Sequence, residues 1–277
     1  MAAHIIAAQR EAADEAGFAV RAVAVFVGGP KNRQITMSPA ERIEMRELIE
    51  KSGLRVIAHS SYGGSPWETA AGSDYVRSEI AVCREAGIEG LVVHLPKLPL
   101  PAVLAALPRF VVAGVTVYLE TPAIREADSM YESPAKLGAL FRAIASDHAC
   151  AGLAGQIGLC VDTAHLWTNG VQAVRARESM ARWLAGLAEA GVPVDRMMFH
   201  LNDSERPCGV GPDTHAPLGL GRIWEKTDPA DSGIAAVLEF ARARGAPVIL
   251  ERKPKESLPG DYRVLLRLEG DFACAPT

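Results

Sequence analysis

Eight short apolar runs punctuate the chain: AAHII (2–6), AVAVFVG (22–28), LRVIAH (54–59), GLVVH (90–94), VTVYLE (115–120), IGLCVD (157–162), RMMFH (196–200) and PVILE (247–251). Most close on a polar residue, and a stretch of helical length follows each one. Near-continuous Val, Ile and Leu predict strands buried on both faces, as in a parallel sheet. The intervening segments carry helix signals. Ser38-Pro39-Ala40-Glu41 has the spacing of a capping box, with proline at the first helical position, where its missing N–H costs nothing. Ser133-Pro134 opens another helix in the same way, and Gly53, Gly87, Gly191 and Gly245 follow helical stretches as stops. Eight strands alternating with helices predict an α/β chain closed into a (β/α)8 barrel, its first strand beginning almost at Met1.

The length of 277 residues suits one such barrel, so a single domain over 1–277 is expected. A hydrophobic fraction of 49% supplies a large core, and 22% charged residues fit an ordinary soluble protein. The opening MAAHIIAAQREAADE has no basic stretch before its short apolar run, so no secretory leader is expected. The apolar-looking region 91–119 holds Pro96, Pro99, Pro101 and Pro108 with Lys97 and Arg109, which excludes a membrane span. Cys83, Cys150, Cys160, Cys208 and Cys274 are scattered and form no CxxC, which predicts reduced, mostly buried thiols in a reducing, cytoplasmic compartment. A formal charge of −4 weighs against a nucleic-acid partner, because such domains are usually basic.

The polar residues that close the runs change that picture. His59, His94, Glu120, Asp162, His200 and Glu251 stand one per run at the carboxyl ends of what would be strands three to eight. Groups there face the mouth of a barrel, where barrel enzymes keep their sites. His165 follows Asp162 by three, and Asp213-Thr214-His215 puts an aspartate and a histidine on one face of an extended segment. Singly, each has a plain structural reading: a hydrogen-bonded core histidine, a paired carboxylate, a helix cap. Together they are five histidines and four carboxylates around one mouth, and the carboxylates would repel one another unless cations neutralise them. Imidazole mixed with carboxylate and no thiolate suits Zn²⁺, with Mn²⁺ or Fe²⁺ as alternatives. Nine ligands exceed the need of one ion and fit three if Glu120 bridges two. His4 and His148 fall outside the pattern, and Asn202 and Asp203 read as loop-ordering groups.

The segments CVDTAH (160–165), HLNDS (200–204), DTHAPLGLG (213–221) and ILE (249–251) resemble endonuclease IV, the family-2 apurinic/apyrimidinic endonucleases, over nearly the whole chain. That resemblance implies a xylose-isomerase-like barrel with three metal ions, three Zn²⁺ or Mn²⁺ at one or more sites. His59, His94 and Glu120 would hold the first ion, Glu120, Asp162, His200 and Glu251 the second, and His165, Asp213 and His215 the third. It further implies hydrolysis of the phosphodiester 5′ to an abasic site in double-stranded DNA, leaving a 3′-hydroxyl, with Glu120 and Glu251 as the catalytic carboxylates. Base excision repair, 3′-end cleaning and a monomeric state are part of the same expectation.

Three filled sites would turn −4 into −4 + 6 = +2. The loops after the strands also bring Lys31, Arg33, Lys97, Arg125, Arg206, Arg222, Arg252, Lys253 and Lys255 to the metal face as candidate phosphate contacts. The same rim carries Glu68, Glu126, Asp128 and Glu205. The chain departs from the family where Leu95-Pro96-Lys97 replaces Pro-Gly after the second histidine, and where Thr121-Pro122 replaces Asn-Thr after the glutamate. Tyr62 precedes Gly63-Gly64-Ser65-Pro66-Trp67, in place of bulky residues that push into DNA. Trp67 is then either packed on the barrel or presented as a wedge. Two rivals remain. A sugar isomerase or epimerase would need only Glu120, Asp162, His200 and Glu251, and a metal-loaded DNA-binding module would bind without turnover.

Overall fold

The computed structural model describes residues 2–31, 33–63, 65–123, 131–252 and 258–273. Arg125, Glu126, Asp128, Lys253, Lys255 and Cys274 lie outside these described residues. In chain order the elements are α1 (Ala2–Ala16), β1 (Ala22–Val25), α2 (Pro39–Ser52), β2 (Arg55–His59), α3 (Ala70–Ala86), β3 (Gly90–His94), α4 (Leu100–Phe110), β4 (Thr116–Glu120) and α5 (Pro134–Ser146). There follow β5 (Ile157–Asp162), α6 (Thr163–Thr168), α7 (Arg177–Glu189), β6 (Met197–His200), the short ribbon β7 (Asp203–Ser204) and β8 (His215–Ala216), α8 (Gly233–Arg244), β9 (Val248–Ile249) and α9 (Leu258–Ala273).

Seven parallel strands run in the order β1-β2-β3-β4-β5-β6-β9 and curve into a nearly closed barrel with the helices outside. The first run of the sequence is a correction: Ala2–Ala16 is a helix. Its buried residues Ile6, Gln9, Ala12 and Ala13 recur at helical spacing, and alanine favours the helix over the strand. The mouth residues therefore close the second to seventh strands of seven, counted among the described residues. β1 and β9 come close as the two edges of the sheet without pairing, and α1 packs against α9.

The predicted caps form. The Ser38 side chain accepts from Glu41 N–H while Glu41 accepts from Ser38 N–H, and the Ser133 hydroxyl caps α5. Inside the barrel, Ile57, Val92, Tyr118, Cys160, Met198 and Ile249 pack as one layer, one residue per strand. Tyr118 fits because Gly90 and Gly158 flank it; a Cβ on either would sit 2.4 or 2.8 Å from its ring. Each member of this layer lies two residues before a mouth residue. Side chains alternate across a strand, so a floor residue dictates that the residue two along also points inward. The apolar floor thus sets the direction of His59, His94, Glu120, Asp162, His200 and Glu251.

Candidate metal centre and its rim

Pairing in register gathers the strand ends. His94 lies opposite Glu120, and Asp162 opposite His200. Glu120 is fully buried, and its two oxygens face different neighbours. Oε2 is 2.8 Å from His94 Nε2 and 3.2 Å from His59 Nε2; Oε1 is 2.7 Å from His200 Nδ1. His59, His94 and Glu120 therefore form one group able to hold an ion, and Glu120, Asp162, His200 and Glu251 a second. On the far side, Asp213 Oδ2 lies 3.3 Å from His165 Nε2 and 3.0 Å from His215 Nε2. Asp162 completes a group with the same two histidines, so it faces both the second and the third cluster. The structure brings together all nine residues read from the sequence.

Neighbouring groups fix how each candidate ligand presents itself. His59 Nδ1–H donates to Ser60 O (2.8 Å) and His165 Nδ1–H to Thr121 O (2.7 Å), which leaves each Nε2 lone pair facing the centre. His200 is turned the other way, with Nδ1 toward the carboxylates. Asn202 Nδ2 donates to Asp162 Oδ2 (2.6 Å) and Glu251 Oε2 (3.1 Å), and its Oδ1 accepts from Glu251 N–H. A neutral amide so holds two carboxylates side by side. Glu79, buried on α3, accepts from Ser60 Oγ–H (2.6 Å) and Ser61 N–H (3.1 Å), and anchors the loop after His59. Glu79 and Phe26 are not among the residues that the sequence pattern marks. Phe26 is the residue after β1 whose ring lies 5.5 Å from that of His59. Only its place two residues beyond the inward-packed Ala24 could have marked it.

The donor set fits divalent ions. Asp213 Oδ1 is buried with no hydrogen-bond partner, and His215 Nε2, 3.0 Å from Asp213 Oδ2, is buried without a well-directed hydrogen bond; imidazole and carboxylate are the donor types that Zn²⁺ takes. Electrostatics inside the cluster are strong. Burial opposes the imidazolium, yet Asp162 and Glu120 hold His165 well above its ordinary pKa, and Cys160, Glu251 and Glu120 do the same for His200. Burial likewise opposes the Glu120 carboxylate, but the imidazoles of His94, His200 and His165 draw it well below the usual range. For Asp162 burial wins and raises the pKa.

The rim differs from expectation in two places. Trp67 is 5% exposed, its Nε1–H donates to His94 O (2.8 Å), and its ring meets Phe110 edge-on at 5.1 Å. It is a packed residue that steadies the backbone of a candidate ligand, and it does not stand out as a wedge. Arg252 is also inside: its side chain is 6% exposed, with Nε 3.2 Å from the buried Asp261 carboxylate. That ion pair removes it from the surface a phosphate could reach. Tyr62, in contrast, is 58% exposed, with its ring edge-on to His94. Burial of part of the ring and the Glu251 and Glu120 charges push its pKa up, so the hydroxyl keeps its proton. Lys31, Arg33, Lys97, Arg206 and Arg222 are exposed. Arg33 is tied to Gly63 O, and Arg222 lies 3.4 Å from Glu225. Lys97, Tyr62, Trp67 and His94 line a cavity of about 400 Å³ beside the first cluster. Among the described residues the cysteines are free, and no helix is long and apolar enough to cross a membrane.

Residues 10–267 match the model of AP endonuclease family 2, the xylose isomerase-like TIM barrel. The chain is 34% identical over 252 residues to a probable AP endonuclease of African swine fever virus (isolate Tick/Malawi/Lil 20-1/1983), covering 88% of this chain and 83% of that one. The crystal structure of AsfvAP:AG superposes with a TM-score of 0.83 at 30% identity, over 95% of this chain and 88% of that one. The crystal structure of endonuclease IV from Thermus thermophilus shares the fold, with a TM-score of 0.74 at 22% identity, over 95% and 94% of the two chains.

Proposed function

This chain belongs to the xylose isomerase-like TIM barrel family, in its endonuclease IV branch, and from that premise we propose that it is a metal-dependent AP endonuclease. Its substrate would be double-stranded DNA with an abasic site, cut 5′ to the lesion to leave a 3′-hydroxyl, with 3′-end cleaning by the same centre, in base excision repair. The observation that carries this reading is that Glu120, one buried carboxylate, turns its two oxygens toward two separate candidate ligand groups while a third group lies on the far side of Asp162. An isomerase needs only the Glu120, Asp162, His200 and Glu251 set, which leaves His59, His94, His165, Asp213 and His215 without a task.

Divalent ions, Zn²⁺ with Mn²⁺ at one or more sites, would stabilise the charge that develops on a phosphodiester under attack and would activate water at neutral pH. The protein's own contribution is alignment. His59 and His94 face one oxygen of Glu120 and His200 the other, and Asn202 keeps Asp162 and Glu251 at fixed orientation. The carbonyls of Ser60 and Thr121 hold the tautomers of His59 and His165. Tyr62, Phe26 and the 400 Å³ cavity give the mouth an aromatic wall against which an extruded sugar can pack. Lys31, Arg33, Lys97 and Arg222 are the phosphate contacts of this reading, to which Lys253 and Lys255 belong by sequence. No protein nucleophile is required.

Elemental analysis of purified protein, with incision of an abasic duplex, tests the reading. About three ions per chain and 5′ incision are expected. Asp213→Ala with His215→Ala should lose about one ion and most of the incision while the barrel still melts cooperatively. One ion per chain, or full activity in that double variant, overturns it.

A further inference from the structure

Leu220 is 77% exposed, the most exposed large hydrophobic side chain among the described residues. It sits five residues past His215, on the loop that leaves the metal face. An isolated exposed leucine is unremarkable by itself, but the backbone that carries this one is fixed to an unusual degree. Every amide from residue 218 to 223 is taken. Leu218 N–H donates to Asp261 Oδ1 (2.7 Å), and Gly219 and Gly221 N–H to Asp203 Oδ2 (3.0 and 3.1 Å). Ile223 N–H donates to Asp203 Oδ1 (3.0 Å), Leu220 N–H to Pro217 O and Arg222 N–H to Ser204 O. Asp203 and Asp261 are themselves buried, at 0% and 1% exposure. Two buried carboxylates therefore clamp the residues on both sides of Leu220. Gly221 is required for the clamp, since a Cβ there would lie 2.5 Å from Asp203 Oδ1.

We propose that Leu220 is a substrate-contact residue: an apolar tip, preorganised by Asp203, that packs on the sugar or base face exposed where the stack of a DNA duplex is interrupted. This rests on the nuclease reading above. Three observations support it together. The side chain is apolar and held out of the core, its loop is the one that supplies Asp213 and His215, and its backbone has no freedom left to fold the side chain back. An apolar side chain gains nothing against the charged backbone of an intact duplex, but it gains contact area at a step where a base is missing. A preorganised tip makes that contact without the ordering penalty a mobile loop would incur. Asp203 is in this account a positioning residue, and it acts on the lesion contact as well as on the loop of the third cluster.

The test is equilibrium binding by fluorescence anisotropy, in a Glu251→Gln background that slows incision. The probes are a duplex carrying a tetrahydrofuran abasic analogue and the same duplex intact. Leu220→Ala should weaken binding to the abasic duplex roughly ten-fold, the size of burying one leucine side chain, and change binding to the intact duplex less than about two-fold. Hydrogen exchange, read without DNA, should show the amides of Gly219, Gly221 and Ile223 protected in the parent and exchanging faster in Asp203→Asn. In that Asn background the Leu220→Ala effect should shrink, because the tip is no longer held. Equal binding of Leu220→Ala and parent to the abasic duplex overturns the inference, as does equal weakening on both duplexes. Fully additive effects of the two substitutions overturn the role of Asp203. A parent that binds neither duplex overturns the nuclease reading and this inference with it; a parent that prefers the abasic duplex while Leu220→Ala is silent overturns this inference alone.

Discussion

Replacing Trp67 measures how the first cluster is supported. The indole is 5% exposed, stacks edge-on against Phe110, and donates its N–H to the carbonyl of His94. Truncation to alanine empties a large part of the core between α3, α4 and the end of β3, which costs about 3–5 kcal/mol for an aromatic side chain. A chain of this size loses roughly 2–4 °C of melting temperature per kcal/mol, so Trp67→Ala should melt about 6–20 °C earlier. Trp67→Phe keeps a ring against Phe110 but removes the N–H and part of the buried ring, about 1–2 kcal/mol for the hydrogen bond and the carbonyl left without its donor plus a packing loss smaller than that of Trp67→Ala, so a smaller fall than for Trp67→Ala is expected. Thermal melting followed by dye fluorescence gives both shifts. The concentration of abasic duplex giving half-maximal incision, measured well below the melting range, gives the functional effect. For a packed residue the melting temperature falls and half-maximal incision stays within about two-fold of the parent. A Trp67→Ala protein that melts with the parent yet needs ten-fold more DNA would refute the packing argument and restore the wedge.

Other expectations follow from the same geometry. Glu120→Gln should abolish more activity than Glu251→Gln and release more than one ion per chain, because Glu120 faces two groups; equal small losses, read by elemental analysis and initial rates, would count against a bridging role. Arg252→Ala removes the counter-charge of the buried Asp261 and leaves it the Leu218 N–H, which should destabilise the fold by up to about 3–5 kcal/mol in denaturant titrations. The salt dependence of DNA binding should not change, whereas loss of a true phosphate contact lowers that slope by about one. Against the opposing effect of burial, His165 is held well above its ordinary pKa by Asp162 and Glu120, and His200 by Cys160, Glu251 and Glu120, so in metal-free protein each keeps its proton to higher pH than a free imidazole does, and only neutral imidazole binds a metal. Zn²⁺ affinity should therefore rise with pH, and calorimetry of Zn²⁺ binding in two buffers of different ionisation enthalpy should report protons released; identical heats in both buffers would sink this account.

The candidate ligand set was legible because it is written locally. A strand buried on both faces must be apolar, so a histidine or carboxylate at its end stands out against Val, Ile and Leu, and the alternation Ile57-x-His59 or Met198-x-His200 is fixed by the backbone period alone. The same locality misled at the amino terminus. AAHII is too short for its apolar residues to distinguish period 2 from period 3.6, and only the continuation through Gln9, Ala12 and Ala13 against α9 makes Ala2–Ala16 a helix.

What the sequence determined by itself is therefore the beat of strands and helices, the caps of α2 and α5, and the nine metal-competent groups, each a consequence of chain-local periodicity. What tertiary structure alone decided is which way the rim residues face. Trp67 and Arg252 look like DNA contacts in one dimension, but Phe110 with the His94 carbonyl and Asp261, each remote or in another element, take them into the core. Leu220 carries no signal in the sequence, but Asp203, from 17 positions earlier in the chain, holds the amides on both sides of it, and its side chain stands exposed. Burial and exposure in loops depend on partners distant in sequence, and no period in the chain encodes those partners.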